Sequence, residues 1–280
     1  MFRPLSSRTL AFHRTAFLIG TTRMNWTEEQ VKLAFHIYCQ LPFGKLHSRN
    51  PAIVELASLI GRTPSAVAMK CTNLASLDPA ITGSGRKGLS GASALDQKVW
   101  NEFNADWDRL ANECTVILNR LHRQHGIPEA KPEESIEEID YTGRTKETVT
   151  QIRVGQSFFR KAVLSAYDNV CCMSGISESR LLVASHILPW NKGASNRLNP
   201  RNGLCLSALH DRAYDRGLIT VTTDYTVRVS PVIHKHKANP LIANSLINLE
   251  GAKITLPSRF HPDPSFLKHH SSEIFLRKAA

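Results

Sequence analysis

Apolar residues begin to recur at helical spacing just after Trp26: Val31, Ala34, Phe35 and Tyr38 fall on one face. Asn25-Trp26-Thr27-Glu28-Glu29 opens that run, with Asn25 or Thr27 as cap and two acids in the first turn. Leu41-Pro42-Phe43-Gly44 stops it. A second helix is predicted over 51–60, with Asn50 as cap, Pro51 at the first position, and Ile53, Leu56, Ala57 and Ile60 facing inward. Gly61-Arg62 ends it, and Thr63-Pro64-Ser65 opens a third over 66–74 carrying Val67, Lys70 and Asn73. Helix, short glycine turn, helix is a helix-turn-helix pattern. Lys70 on the third helix and Arg62 on the turn are therefore candidate DNA contacts.

The pattern then changes character. Residues 81–94 read as a Gly/Ser-rich linker with a basic pair, Arg86 and Lys87. Residues 95–124 read as one long helix with Val99, Phe103, Leu110, Ile117 and Leu121 on its apolar face, and 128–140 as an acidic, solvated boundary. A strand is predicted over 148–154 and an amphipathic helix over 156–167, with Phe158, Phe159, Val163 and Leu164 inward and Arg160 and Lys161 outward. A tight turn at 169–175 leads to a strand over 181–187. After His210 a short helix runs to Asp215 and ends at Gly217; 218–222 and 227–229 form a hairpin about Thr223-Asp224-Tyr225. A last helix is expected near 265–276, with His269 and His270 read as surface histidines. The class is thus α+β. The expected domains are a basic leader (1–23), a helical module (24–80), a linker with long helix and acidic boundary (81–140), and a mixed domain (141–280).

Composition narrows the partners. At 280 residues the chain can bury proper cores without staples. Lys and Arg total 35 against 24 acids, a formal charge of +11, which favours polyanions because neutralising phosphates releases counterions. The six cysteines, Cys39, Cys71, Cys114, Cys171, Cys172 and Cys205, are scattered, with no C-x-x-C pair. They read as buried thiols in a reducing, cytoplasmic setting. No apolar run approaches the ~20 residues that span a bilayer. The leader, acid-free and holding Arg3, Arg8, Arg14 and Arg23, has a transit-peptide-like composition. An over-extended reading frame or a basic arm is the preferred account, because Met24 directly precedes the first folded segment.

The stretch from Leu181 to Gly217, LLVASHILPWNKGASNRLNPRNGLCLSALHDRAYDRG, holds the densest chemistry. His186 closes an apolar strand, Asn202 opens a second one sixteen residues on, and His210 follows eight residues later where that strand gives way to a helix. Two histidines brought together by a hairpin can divide hydrolysis between a general base and a metal ligand. In a basic chain this points to a metal-dependent nuclease. Arg197, Arg201 and Arg212 flank the segment as candidate phosphate contacts.

Two resemblances sharpen the reading. WTEE with GRTPSAVAMKCTNL resembles a Myb-like trihelical domain, whose third helix reads DNA. FFRKAVLSAY, the C-x-x-S-G turn at 171–175, ASHILPW, RLNPRNGLCLS and LHDRAYDRGLITV, in that order, resemble the His-Asn-His (HNH) nucleases, closest to the branch found among restriction endonucleases. That resemblance implies a C-terminal ββα-metal domain joined by a long helix to the N-terminal three-helix module. It implies His186 as general base and Asn202 as the residue that orients it. It also implies His210 as ligand to a divalent ion, Mg²⁺ first and Mn²⁺ or Ni²⁺ as alternatives. The substrate implied is double-stranded DNA, in a restriction or defence role, with a homodimer favoured for cutting both strands. The family often places an acid directly before the strand histidine; here Ser185 stands there, a weak ligand. Asp215 is the preferred second ligand, with Asp211 as the alternative and capping of the turn as the plain reading of Asp215. Ser185 also raises two rivals: a DNA-binding regulator with a degenerate nuclease centre, and a toxin nuclease.

Overall fold

The computed structural model describes residues 25–83, 91–127, 146–190, 192 and 195–276. The leader, the Arg86–Lys87 pair and the acidic stretch 128–140 lie outside them. The three N-terminal helices form where their caps place them. Helix α1 (Glu28–Gln40) starts with a reciprocal capping box between Thr27 and Gln30. Helix α2 (Pro51–Leu59) is capped by Asn50, whose side chain accepts the Ala52 N–H, and α3 (Pro64–Ala75) by Thr63. The expected linker begins later than its composition indicates. A short helix α4 (Pro79–Gly83) buries Ile81 completely, and Ser93 already caps the next helix.

Two expected elements are corrected. The single helix over 95–124 is two, α5 (Ala94–Ala105) and α6 (Trp107–Gln124), broken at Asp106 with φ −155° and ψ 89°. The Asp106 carboxylate leaves the helix to accept the Arg109 N–H, a local bond that competes with helical continuation. The strand over 148–154 and the helix over 156–167 are one helix, α7 (Lys146–Ala166). The β-branched run misleads because tertiary packing overrides propensity. Gly155 is not a breaker there: a β-carbon would sit 3.2 Å from the Leu198 side chain, so its absence makes room for that contact.

Helix α1 is the axis of the core, packed against α3, α5, α6 and α7. Phe35 lies edge-on to Phe103 at 4.6 Å and Trp100 at 5.3 Å, and His36 stacks on Phe158 of α7 at 4.8 Å. One apolar core thus runs from the N-terminal helices into the C-terminal part. The fully buried Arg259 joins them again, donating to the Cys39 carbonyl (3.0 Å) and the Ser165 hydroxyl (2.8 Å).

Beyond α7, strand β1 (Leu182–His186) pairs antiparallel with β2 (Gly203–Ser207), setting His186 opposite Gly203. Helix α8 (Ala208–Asp215) follows β2 directly, its start fixed by Ser207, whose hydroxyl accepts the His210 N–H. This is a ββα finger. Strands β3 (Ile219–Val221) and β4 (Val227–Val229) form the expected hairpin, followed by α9 (Pro240–Ser245) and α10 (Pro264–Glu273). His270 is not a surface residue: it is buried, stacked on Tyr214 at 3.6 Å and bonded to Thr220. Among the described residues, no single helix is long and apolar enough to cross a membrane.

Candidate active site

Strand alternation divides the finger into two faces. Successive side chains of β1 point opposite ways, so His186 and its neighbour Ser185 look in different directions. His186 turns towards α7 and stacks on Phe159, ring centroids 3.9 Å apart and nearly parallel. Gly203, opposite it, leaves space for that stack: a β-carbon there would lie 3.0 Å from Phe159 Cζ and inside contact distance of Val163. Trp190 meets the imidazole edge-on at 5.5 Å.

His186 Nε2 lies 2.9 Å from the Arg197 carbonyl oxygen. A carbonyl only accepts, so Nε2 carries the proton and donates it, which leaves Nδ1 as the basic nitrogen. Among the described residues no protein group bonds Nδ1. Burial depresses the imidazole pKa to about 4, against the pull of the Arg197 carbonyl, so the ring is neutral at physiological pH.

Asn202 is buried and pins the loop that leaves His186. Its Oδ1 accepts the Leu188 N–H at 2.7 Å, and its Nδ2 donates to the Asn196 carbonyl at 3.1 Å. Its own carbonyl accepts the Ile187 N–H at 2.9 Å. One amide therefore fastens both the residues just after His186 and the residue just before Arg197.

The other face belongs to α8. Asp211 and Asp215, one turn apart, share a side of the helix. Partial burial of the Asp215 carboxyl, and then the Asp211 charge, push its pKa up to about 6, although the residue as a whole reaches solvent. Burial also raises Asp211, while the Ser185 hydroxyl, aimed at that carboxylate, draws it back down. Among the described residues that hydroxyl completes no hydrogen bond of good geometry, so it is buried facing Asp211 with its capacity unspent.

His210 stands apart from both groups. It is buried; Nε2 donates to the Ser245 carbonyl of α9 at 2.8 Å, and Nδ1 lies 3.0 Å from the Ser207 hydroxyl and 3.6 Å from Cys171 Sγ. Burial works against protonation of this ring, but Cys171 and the Ser245 carbonyl outweigh it and the pKa is raised. Cys171 is held the other way: burial pushes the thiol up, and hydrogen bonds from His210 and Ser174 bring it down to about 6. Both ring nitrogens of His210 are thus engaged by the chain.

The residues flagged as phosphate contacts divide as well. Arg212 is exposed on α8. Arg197 donates from Nε to the Trp190 carbonyl at 2.8 Å and lies over its ring, while Arg201 pairs with Asp263 at 3.5 Å. Lys70 is not a groove residue: it is 6% exposed, and its ammonium sits 2.7 Å from the fully buried Asp96 carboxylate, over the Trp26 ring. Arg62 is also committed to the fold, donating to Gln30 Oε1 and the Asn25 carbonyl against that same ring. Nothing local in the sequence marks Asp108 or Ser245, whose partners are distant along the chain; Cys171 stands out only as the first residue of the C-x-x-S-G turn, and Ser207 only as a cap at a strand-to-helix junction.

Residues 171–222 match the family model of the HNH endonucleases, and this segment coincides with the C-x-x-S-G turn, the finger and β3. The chain therefore carries an HNH endonuclease domain in its C-terminal half, which supports nuclease activity. None of the curated proteins matches the chain. HNH nucleases generally use a divalent metal. Among the described residues, no three His, Cys, Asp or Glu side chains form a group that holds one. The oxygen donors fit a hard cation in part: two raised carboxylates, one of them faced by the buried Ser185 hydroxyl, are the atoms such an ion neutralises. His210, as placed, has no lone pair to give.

Proposed function

We propose that this protein is a DNA endonuclease in which His186 is the general base. The observation that carries the reading is the state of that imidazole: neutral, with Nε2–H committed to the Arg197 carbonyl and Nδ1 unbonded. A base must be unprotonated at working pH and presented by the right nitrogen. Nδ1 takes a proton from the attacking water, Phe159 and Trp190 hold the ring plane, and Asn202 holds the loop that fixes its direction. Asp215, with Asp211 and the Ser185 hydroxyl, would hold the divalent ion, Mg²⁺ by the hardness of those oxygens; His210 would join them only by releasing Ser245. When bound, the ion supplies charge stabilisation to the phosphate under attack. In this reading Arg212, exposed on the same helix, contacts the DNA backbone, and Arg197 and Arg201 serve it less directly. A restriction or defence role is the finer form of this proposal.

The test is cleavage of supercoiled plasmid, methylated and unmethylated, by the full chain with Mg²⁺, Mn²⁺ or Ni²⁺, beside EDTA and His186→Ala controls. Nicked or linear product that disappears in both controls is the expected result. Intact plasmid under all three metals overturns it. One observation favours a second reading, a DNA-binding protein with a degenerate centre: both His210 nitrogens are occupied. Uncut plasmid with a salt-dependent gel shift would support that reading instead.

A further inference from the structure

The loop that carries the Arg197 carbonyl is not held by the finger alone. Asp108, on the first turn of α6 and more than sixty residues before the matched segment, reaches across to it. Its Oδ1 accepts the Leu198 N–H at 2.7 Å, a bond between residues ninety positions apart. The Arg197 N–H is directed to the same carboxylate. The next link is the Arg197 carbonyl on His186 Nε2 at 2.9 Å. Asp108, Trp190, Arg197 and Leu198 line one cleft between α6, α7 and this loop. The Leu198 side chain is buried where Gly155 makes room for it, so the peptide that turns its N–H to Asp108 is anchored on both sides.

We propose that Asp108 is a positioning residue for His186: by gripping the 197–198 backbone it holds the Arg197 carbonyl against Nε2 and so fixes the tautomer that leaves Nδ1 free. The helical half of the chain is then part of the active site, though it supplies no reacting group. This inference rests on the reading of His186 as base, but one of its readouts does not.

The experiment uses the full chain in three forms: native, Asp108→Ala and Asp108→Asn. Asparagine keeps an oxygen that accepts the Leu198 N–H; alanine does not. Expected for Asp108→Ala is a fall in kcat for plasmid cleavage of about 10- to 100-fold, as for outer partners of ligating histidines, with KM unchanged. Asp108→Asn retains kcat. The second readout is the pair of ring ¹⁵N shifts of His186, assigned by loss of its signals in His186→Gln. The native ring shows the Nε2–H form; Asp108→Ala shows a mixture, and Asp108→Asn shows the native pattern. If Asp108→Ala loses cooperative melting, Asp108→Ser, too short to reach Leu198, takes its place with the same expectations. Native ¹⁵N shifts in the folded Ala or Ser variant overturn the proposal. Altered shifts with undiminished cleavage uphold the positioning and overturn the base assignment, so the two failures are distinguishable.

Discussion

The N-terminal helices and the finger treat buried polar groups in opposite ways. In the helices, charge is matched. Lys70 meets Asp96 at 2.7 Å, and Lys32 reaches Glu28 at 2.9 Å and Glu113 at 2.8 Å. Glu28, bonded by Lys98 and Lys32, is pulled down to about 2. In the finger, charge and donors are left poised. Asp215 is raised to about 6 beside Asp211, and among the described residues the Ser185 hydroxyl completes no hydrogen bond of good geometry and His186 is kept neutral with no group on Nδ1. Matched pairs hold a fold together; mismatched groups persist only where structure around them over-determines their position, and they gather at functional sites. The helices therefore read mainly as scaffold, with Asp108 on α6 as the exception that reaches the site, and the finger as chemistry.

The sharpest way to break this contrast is to neutralise each region. Replacing Asp211 and Asp215 together by Asn removes two like charges and the oxygens proposed for the ion. Plasmid cleavage is expected to fall about 100- to 1000-fold, while urea unfolding at pH 7 shows no loss of stability. A double variant that cuts normally would move the ion elsewhere. The converse holds for Lys70→Ala, which strands the Asp96 carboxylate in the core. A loss of about 3–5 kcal/mol is expected by urea unfolding, largely restored by adding Asp96→Asn. Cleavage per folded molecule stays native. Should Lys70→Ala keep its stability but lose DNA affinity, Lys70 would be a recognition residue after all.

pH separates the regions less steeply. His36 in the helices and His270 in the C-terminal part are both buried and held near 4, well below the ordinary 6.5. The unfolded chain takes up protons near 6.5 and the folded one does not, so acidification through this window favours unfolding. Each group removes about 3 kcal/mol between pH 6.5 and 4. Asp215 and Asp108 run the other way: raised to about 6, they are protonated in the folded chain first, and they add stability as pH falls from 6 towards 4. His36→Phe, which keeps the stack on Phe158, is expected to flatten the acid decline seen by urea unfolding at pH 7 and pH 4.5. An unchanged decline would locate the acid sensitivity outside that core.

Helices α1 to α3 were legible because their signals are local: Thr27, Asn50 and Thr63 each stand directly before the helix they cap. The order of His186, Asn202 and His210 was equally plain, and the structure joins the first two through the 187–197 loop. What was not legible is who pairs with whom. An exposed lysine and a buried one are written alike, and Lys70 could be told from a groove cation only through Asp96, beyond the linker. His210 reads as a ligand until Ser245, thirty-five residues on, is seen to take its Nε2. The β-branched run before Gly155 looks like a strand because nothing local announces that Leu198 will pack against that glycine. Local patterns thus specify elements, and distant partners decide the task of each polar group.

The mildest test probes that dependence from inside the finger. Gly203→Ala puts a single methyl group where Val163 and Phe159 already stand, in a strand conformation that alanine adopts freely. Overpacking of this kind costs about 1–3 kcal/mol, a loss the fold survives. The methyl group meets Val163 first, and beside it Phe159 Cζ at 3.0 Å, the ring on which His186 stacks. Cleavage should therefore fall further than the stability loss accounts for, with kcat reduced and KM retained in the surviving folded protein. Val163→Ala added to Gly203→Ala reopens the space and should return kcat towards native. Were the single variant destabilised by that amount yet fully active, the Phe159 stack would be packing alone, and the orientation of His186 would rest on the Arg197 carbonyl and Asn202.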